Sequence, residues 1–338
     1  PTGLPLALLK AITNNFSANQ QIGKGGFAVV YKGQLQGGTV AVKRLSPELD
    51  MDEKNFNHEI SSLIKVKHKN IVRFLGYCSD TQGKVETYQG KTVMADVRQR
   101  LLCFEFLPNG SLDRYITDAS RGLEWRIRYQ IIKGICEGLH YLHQNKIVHL
   151  DLKPANILLT YNMVPKIADF GLSRCFDENQ SQTIASKVVG SLGYLAPESY
   201  SRVITFKLDI YSLGVIIMEI LTGNKGYSEI ENVRILHMTN PRQGYNVKKF
   251  FSNYQTIQDI ELNQVRVCAQ IGVECSDFNP AKRPVMQYII ETLYEMEQTY
   301  DDGLGPSAKI VARAQGLHSE TCMDEDDWFH WSSIVFTD

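Results

Sequence analysis

Residues 149–171, reading HLDLKPANILLTYNMVPKIADFG, constrain this chain more tightly than any other stretch. They set two acids, an amide and a lysine at fixed offsets: Asp151, Lys153 and Asn156, then Asp169 followed by Phe170 and Gly171. Moving a phosphoryl group needs little covalent chemistry, but it needs a hydroxyl aimed in line and cations that neutralise the developing charge. Asp151 can accept the hydroxyl's proton and Lys153 can steady the transferring group. Asn156 and Asp169 supply the hard oxygen ligands that Mg²⁺ prefers.

At 338 residues the chain exceeds what one compact core holds and suits two lobes plus extensions. A formal net charge of -1, with 22% charged residues, leaves no basic field for nucleic acid or an anionic membrane surface. The seven cysteines are scattered, with neither Cys-x-x-Cys nor zinc-like Cys/His spacing, so reduced thiols of a cytosolic compartment are expected. The longest apolar run, 210–221, is interrupted by Ser212, Gly214 and Glu219 and falls short of the ~20 residues that cross a bilayer. It reads as a buried helix. The sequence begins at Pro1 without initiator methionine or signal peptide, which reads as an excised domain whose membrane anchor, if any, lies outside it.

Residues 13–17, TNNFS, lead into a turn with Gly23, Gly25 and Gly26 between β-prone residues. Such a turn brings backbone N–H groups close to phosphate oxygens, although an ordinary hairpin has the same composition. Alternation through 39–43 puts Ala41 and Lys43 on one strand face and Val40 and Val42 on the other. Lys43 is then either a phosphate ligand or a surface lysine. Phe56, Ile60, Leu63 and Ile64 follow a helical period, with Asp50 and Glu53 as a capping pair and Glu59 bordering the stripe; Glu53 and His58 are the solvated alternatives.

A strand reading at 71–77 resumes only at 101–107. The polar segment 80–100 shows no apolar period and reads as a mobile surface insertion, with a docking or regulatory role as the alternative. Turn chemistry at 108–111 closes the first lobe near residue 107. Ile127, Ile131, Ile135, Leu139 and Leu142 mark an amphipathic helix that delivers the chain to His149. A loop with Ser173, Ser181, Thr183, Ser186 and Ser191 separates Asp169 from Ala196-Pro197-Glu198. The last helix is expected to end near Met296, before a tail whose acids at 324–327 precede Trp328, Phe329 and Trp331. That tail reads as loosely ordered, or as a docking motif.

The stretch around Asp151 resembles the protein kinases, matching their H-R-D-x-x-x-x-N loop and D-F-G at every position except Leu150, where that family has arginine. The resemblance runs over about residues 14–297, in family order. TNNFS, PNGSL and GYLAPE are similar to the Pelle and interleukin-receptor-associated serine/threonine kinases, and among them to plant receptor-like kinases. It implies an α+β bilobal kinase fold with a β-rich small lobe and an α-helical large lobe. The expected divisions are a juxtamembrane-like extension at 1–15, the small lobe at 16–107, the large lobe at 108–297 and the tail at 298–338.

The same resemblance implies a set of roles. Catalysis would rest on Asp151 and Lys153, with Lys43 paired to Glu59. ATP would lie against Ile22, Gly23, Gly25, Gly26, Val30, Ala41, Lys43, the gatekeeper Phe104, the hinge residues Glu105, Phe106 and Leu107, and Leu158. Asn156 and Asp169 would hold Mg²⁺, with Mn²⁺ as the alternative ion. Ala28 departs from the third glycine of G-x-G-x-x-G. Glu198 is expected to pair with Arg283, and Lys153 with Ser191 implies serine/threonine rather than tyrosine acceptors.

Leucine at 150 offers no donor to a phosphorylated activation loop. Phosphate on Thr183 or Ser186 is therefore not expected to act through that position, which leaves control to a partner, to dimerisation or to the juxtamembrane stretch. Expected partners are serine- and threonine-bearing protein substrates and a co-receptor or cytoplasmic kinase, with no nucleic acid and no membrane contact except through a segment outside this chain. The expected location is the cytoplasmic face of the plasma membrane. A scaffold of the same fold that binds partners without transfer is the alternative, favoured by Ala28, Leu150 and the insertion. A small-molecule kinase is the third reading, disfavoured by the long activation segment.

Overall fold

The computed structural model describes residues 2–26, 28–46, 53–88, 91–116, 123–170, 172–177, 180–223 and 259–303. Gly171, Asp50 and the expected tail from 304 onward lie outside that set. The chain divides into two compact units, Pro1–Glu291 and Thr292–Asp338, the second of which includes the end of the last helix.

The small lobe is a six-stranded sheet in the order β1-β5-β6-β4-β3-β2. Its strands are β1 (Thr2–Gly3), β2 (Gln21–Lys24), β3 (Ala28–Leu35), β4 (Gly38–Leu45), β5 (Phe74–Tyr88) and β6 (Lys91–Glu105). Along β4, Val40 and Val42 are buried while Ala41 and Lys43 are half-exposed, which is the alternation expected of a strand with one face on the core and one on a cleft. Helix α2 (Glu53–Lys65) buries Phe56, Ile60 and Leu63. Ile64 does not join them; one step round the helix from Leu63, it sits on the rim at 38% exposure.

The segment 80–100 corrects the expectation of an irregular insertion. Both strands run straight through it, paired in register from Cys78↔Leu101 to Tyr88↔Lys91. A two-stranded ribbon that projects from the sheet has no core to face, so it needs no apolar period. Its β-branched residues, Thr81, Val85, Thr87, Thr92 and Val97, carry the strand preference instead.

The N-terminal stretch is also more than an extension. β1 pairs in parallel with β5 at Thr2↔Gly76, and Leu4 N–H donates to the Tyr77 carbonyl at 2.6 Å. Gly76 permits that approach, because a Cβ there would stand 2.6 Å from the Thr2 carbonyl oxygen. Helix α1 (Leu6–Ile12) then buries Leu9 completely. Three successive residues, Asn14, Asn15 and Phe16, adopt left-handed φ of 50°, 55° and 56°. Each non-glycine residue there costs roughly 1–2 kcal/mol. The buried Thr13 hydroxyl offsets part of this by donating to the Leu9 carbonyl at 2.6 Å and accepting from Phe16 N–H. The Phe16 ring packs on Tyr31 and lies under the Arg44 guanidinium.

The large lobe is built on α4 (Trp125–Gln144) and α5 (Phe206–Thr222); a short α3 (Asp113–Ile116) precedes them, and α6 (Asp259–Cys275) and α7 (Met286–Gly303) follow. Helix α4 buries Ile131, Ile135, Leu139 and Leu142 as the periodicity requires. Helix α5 is capped by the Thr205 hydroxyl and ended by Gly223 in the left-handed region, and it is buried all round from Leu208 to Leu221. It lies tightly against α6 because Gly214 and the Gly272 carbonyl meet where a Cβ would come within 2.8 Å. Among the described residues no helix is long and apolar enough to cross a membrane. Helix α7 runs past Met296, where the sequence reading ends it, to Gly303.

Two of the α4 positions explain how the lobes are joined. A Cβ at Gly134 or Gly138 would collide with Asn70, which follows α2 and reaches across to the large lobe. Asn70 donates from its side chain to the Pro165 carbonyl at 2.9 Å and accepts from Ile167 N–H at 2.8 Å. The six described cysteines are free thiols, five of them buried. Burial pushes the Cys103 and Cys268 thiols up to about 12, which keeps them unreactive.

Candidate active site

The catalytic loop owes its shape to a buried acid 60 positions further along the chain from His149. Asp209, fully buried on α5, accepts the backbone N–H groups of His149 and Leu150, both at 2.8 Å, and is joined by His143 Nε2 at 3.0 Å. Those bonds hold Leu150 at a left-handed φ of 67°, which turns the chain so that Asp151 faces outward. The buried His149 ring binds both halves of the site: Nε2 lies 3.0 Å from the Ala168 carbonyl, and Nδ1 accepts from Asp151 N–H at 3.2 Å. These roles fix the tautomer with the proton on Nε2.

Asp151, Lys153, Asn156 and Ser191 form one network. Ser191 Oγ donates to Asp151 Oδ1 at 2.7 Å, while Lys153 Nζ reaches Asp151 Oδ2 at 2.8 Å and Ser191 Oγ at 2.6 Å. Asn156 Nδ2 donates to the Asp151 carbonyl and to Oδ2, at 2.8 and 3.0 Å. With its amide nitrogen committed, Asn156 keeps its side-chain oxygen as an acceptor. The Asp151 carboxylate is held in place by three side chains.

Asp169 stands at a left-handed φ of 66°, with its side chain 45% exposed. Lys43 Nζ donates to its Oδ1 at 2.6 Å. This corrects the expected Lys43–Glu59 pairing, since no ion pair joins those two side chains. Burial raises the Glu59 carboxyl above its ordinary range, Lys43 opposes that shift and the Asp169 charge adds to it. Lys43 bonds to the better-hydrated acid, and Glu59 acts on it at longer range.

The residues expected to meet the nucleotide are mostly half-exposed. Ala41 and Leu158 are half-exposed between buried neighbours, Lys43 and Val30 are half-exposed beside buried Val42 and Tyr31, and Ile22 is 42% exposed. Ala41 pairs with Phe104 in register, and Phe104 packs on Phe74 with ring centroids 5.5 Å apart. A Cβ at Gly23 would make ordinary contact with Val30 and one at Gly25 with the Ala28 carbonyl oxygen, whereas one at Gly26 would meet open space. Gly25 N–H closes the turn on the Ala28 carbonyl. The room above the turn suits a phosphate chain.

In the hinge, Leu107 is buried, and the Glu105 side chain has a task the sequence did not reveal. It accepts from Arg73 N–H at 2.7 Å and from Lys166 Nζ at 2.8 Å, tying the hinge to the large-lobe strand Pro165–Ile167. Hard oxygens from Asn156 and Asp169 are the set that Mg²⁺ takes alongside substrate phosphates, so these residues fit a nucleotide-bound metal. No cluster of three or more His, Cys, Asp or Glu among the described residues forms a separate all-protein metal site.

The segment beyond Asp169 is anchored at its far end. Arg283, 2% exposed, binds Glu198 through both ends of its guanidinium, at 2.5 and 2.8 Å, and also donates to the Asp277 and Lys207 carbonyls. Tyr194 donates to buried Glu219, and burial together with that carboxylate pushes its phenol upward. Leu150, Val189, Leu195 and Leu208 line a small pocket together with Asp151.

A family model described as Protein kinase domain matches residues 16–294. The chain is 38% identical over 297 residues to cysteine-rich receptor-like protein kinase 26 of Arabidopsis thaliana, covering 84% of this chain and 42% of the relative. It is 33% identical over 342 residues to the Arabidopsis G-type lectin S-receptor-like serine/threonine-protein kinase RKS1, covering 98% and 39%. Cysteine-rich receptor-like protein kinase 10 of Oryza sativa subsp. japonica is 35% identical over 85% of this chain and 43% of its own length. The chain therefore spans well under half of the relatives it matches.

Proposed function

The chain belongs to the protein kinase family, and from that premise we propose that it moves the γ-phosphate of Mg·ATP onto serine and threonine hydroxyls of protein substrates. The observation that carries this reading is the Asp151–Lys153–Ser191 network. An acceptor hydroxyl at Asp151 can give up its proton to a carboxylate already oriented by Asn156, while Lys153 stands beside it as a fixed positive charge. Ser191 crowds that carboxylate, which suits a short aliphatic hydroxyl better than a phenol. ATP and its metal supply the transferable group and the charge neutralisation. Asn156 and Asp169 would hold the metal, Lys43 and the glycine turn the phosphates, and Ala41, Phe104, Leu107 and Leu158 the base.

The relatives support placing this kinase at the cytoplasmic end of a receptor-like protein, with the membrane-spanning segment outside these residues and a co-receptor or cytoplasmic kinase as partner. Leu150, buried and with no side-chain donor, supports control in which phosphate on Thr183 or Ser186 does not act through position 150. A mixed peptide panel with Mg·ATP tests the acceptor class. Label is expected on serine and threonine peptides; label confined to tyrosine peptides overturns the class, and nucleotide binding without transfer to any peptide favours the scaffold.

A further inference from the structure

The ribbon formed by the outer parts of β5 and β6 leaves a strand edge open. β1 covers β5 only at Gly76 and Tyr77, and β4 pairs with β6 no further out than Leu101. Among the described residues no strand lies along either one beyond those points. The last covered residue fixes the direction of the unused backbone groups on β5. Tyr77 turns its carbonyl outward, where it accepts from Leu4 N–H. Pairing with β6 is unbroken from Gly76 to Tyr88, so every second residue after Tyr77 faces the same way. Thr81, Gly83, Val85 and Thr87 therefore present N–H and C=O away from β6.

Open edges are usually blunted by charge, by proline or by a covering segment. This one has an apolar pair at its middle: Val85 lies opposite Met94 in register, and the two are 61% and 72% exposed. Lys84 and Glu86 flank Val85, and the positions opposite them within the ribbon are Ala95 and Val93, neither of them charged. The β6 edge is the less open of the two, since Arg44 Nε on the neighbouring strand donates to Gln99 Oε1 at 3.1 Å beside it.

We propose that the β5 edge pairs with the same edge of a second copy of the chain, antiparallel, about a two-fold axis at Val85. A two-fold contact is self-complementary, so each position must suit the one that the axis sets opposite it. Here Val85 meets Val85, and each N–H donates to the other's carbonyl; Gly83 and Thr87 exchange bonds in the same way on either side. Lys84 of each copy falls opposite Glu86 of the other, so opposite charges meet twice. A parallel contact would set lysine against lysine and glutamate against glutamate. On one face of the joined sheet Met94, Val85, Val85 and Met94 form a continuous row. Residues 82–88 take part, which stops short of the stretch that β1 covers. An interface this small belongs to the weak, transient class.

Sedimentation velocity of the whole chain, over a concentration series up to its solubility limit, tests this pairing and needs neither nucleotide nor phosphate transfer. The parent is expected to move toward twice its mass as concentration rises. Val85→Pro should abolish that shift at an unchanged melting temperature, because residue 85 points its N–H outward and proline there takes nothing from the β5–β6 ladder. Lys84→Glu alone, or Glu86→Lys alone, sets like charges opposite each other twice and is expected to weaken association about ten-fold. The two changes together keep the parent's net charge and should restore it. If Val85→Pro lowers the melting temperature, the charge variants decide alone, since they leave the backbone unaltered. A parent that stays monomeric throughout overturns the proposal, as does association that persists in a folded Val85→Pro. Association lost in the single charge variants and not regained in the double one overturns the two-fold register.

Discussion

Asp209→Asn is expected to slow phosphate transfer by about 10²-fold, the scale on which small misplacements of reacting groups act, while binding of ATP changes little. The carboxylate receives two backbone N–H groups, from His149 and Leu150, each at 2.8 Å. An amide supplies one acceptor and presents an NH₂ group to the other donor. One buried N–H then goes unsatisfied, at a cost of about 1–3 kcal/mol. The left-handed Leu150 loses half of what holds it, and Asp151 shifts with it. Steady-state kinetics with ATP and a serine peptide would read this as a fall in kcat at nearly constant KM for ATP. A variant with parental kcat would show that the loop is fixed by other contacts.

Arg283→Ala should be the most destabilising single change in the large lobe, by about 3–5 kcal/mol. The guanidinium is almost fully buried, makes a bidentate pair with Glu198, binds two carbonyls and lies 5.0 Å over the Tyr211 ring. Glu198 retains 23% side-chain exposure, so it can regain water when its partner is lost. Glu198→Gln is accordingly expected to cost less than the arginine change. Thermal unfolding of the two variants, set beside the parent, checks the order; an Arg283→Ala melting temperature equal to the parent's would remove the pair from the account.

The sequence made the chemistry legible because phosphoryl transfer fixes residue types at short spacings. Asp151, Lys153 and Asn156 fall within one loop, and the structure brings them together with Ser191 as that spacing implies. Asp209 was not legible as the scaffold of that loop. It lies 60 positions from His149, and nothing local distinguishes it from a capping acid at the start of a helix. Glu105 is a similar case, since a hinge residue named for its backbone proves to tie two strands together through its side chain.

The ribbon at 80–100 misled for a different reason. Periodicity reports which face is buried, and a two-stranded projection buries neither. The Lys43 pairing was not legible because two carboxylates, Asp169 and Glu59, act on one ammonium, and which of them bonds to it is set only in three dimensions. The N-terminal strand was hidden because its pairing needs only two residues and the space that Gly76 leaves.

Transfer of radiolabelled phosphate from Mg·ATP to the protein itself and to serine and threonine peptides, in the parent and in Asp169→Asn, tests the central claim most directly. Asp169 pairs with Lys43 and is the acid proposed to hold the metal, so the account predicts label in the parent and its loss in the variant, with nucleotide binding retained. Nucleotide binding by the parent without any label on protein or peptide would contradict it.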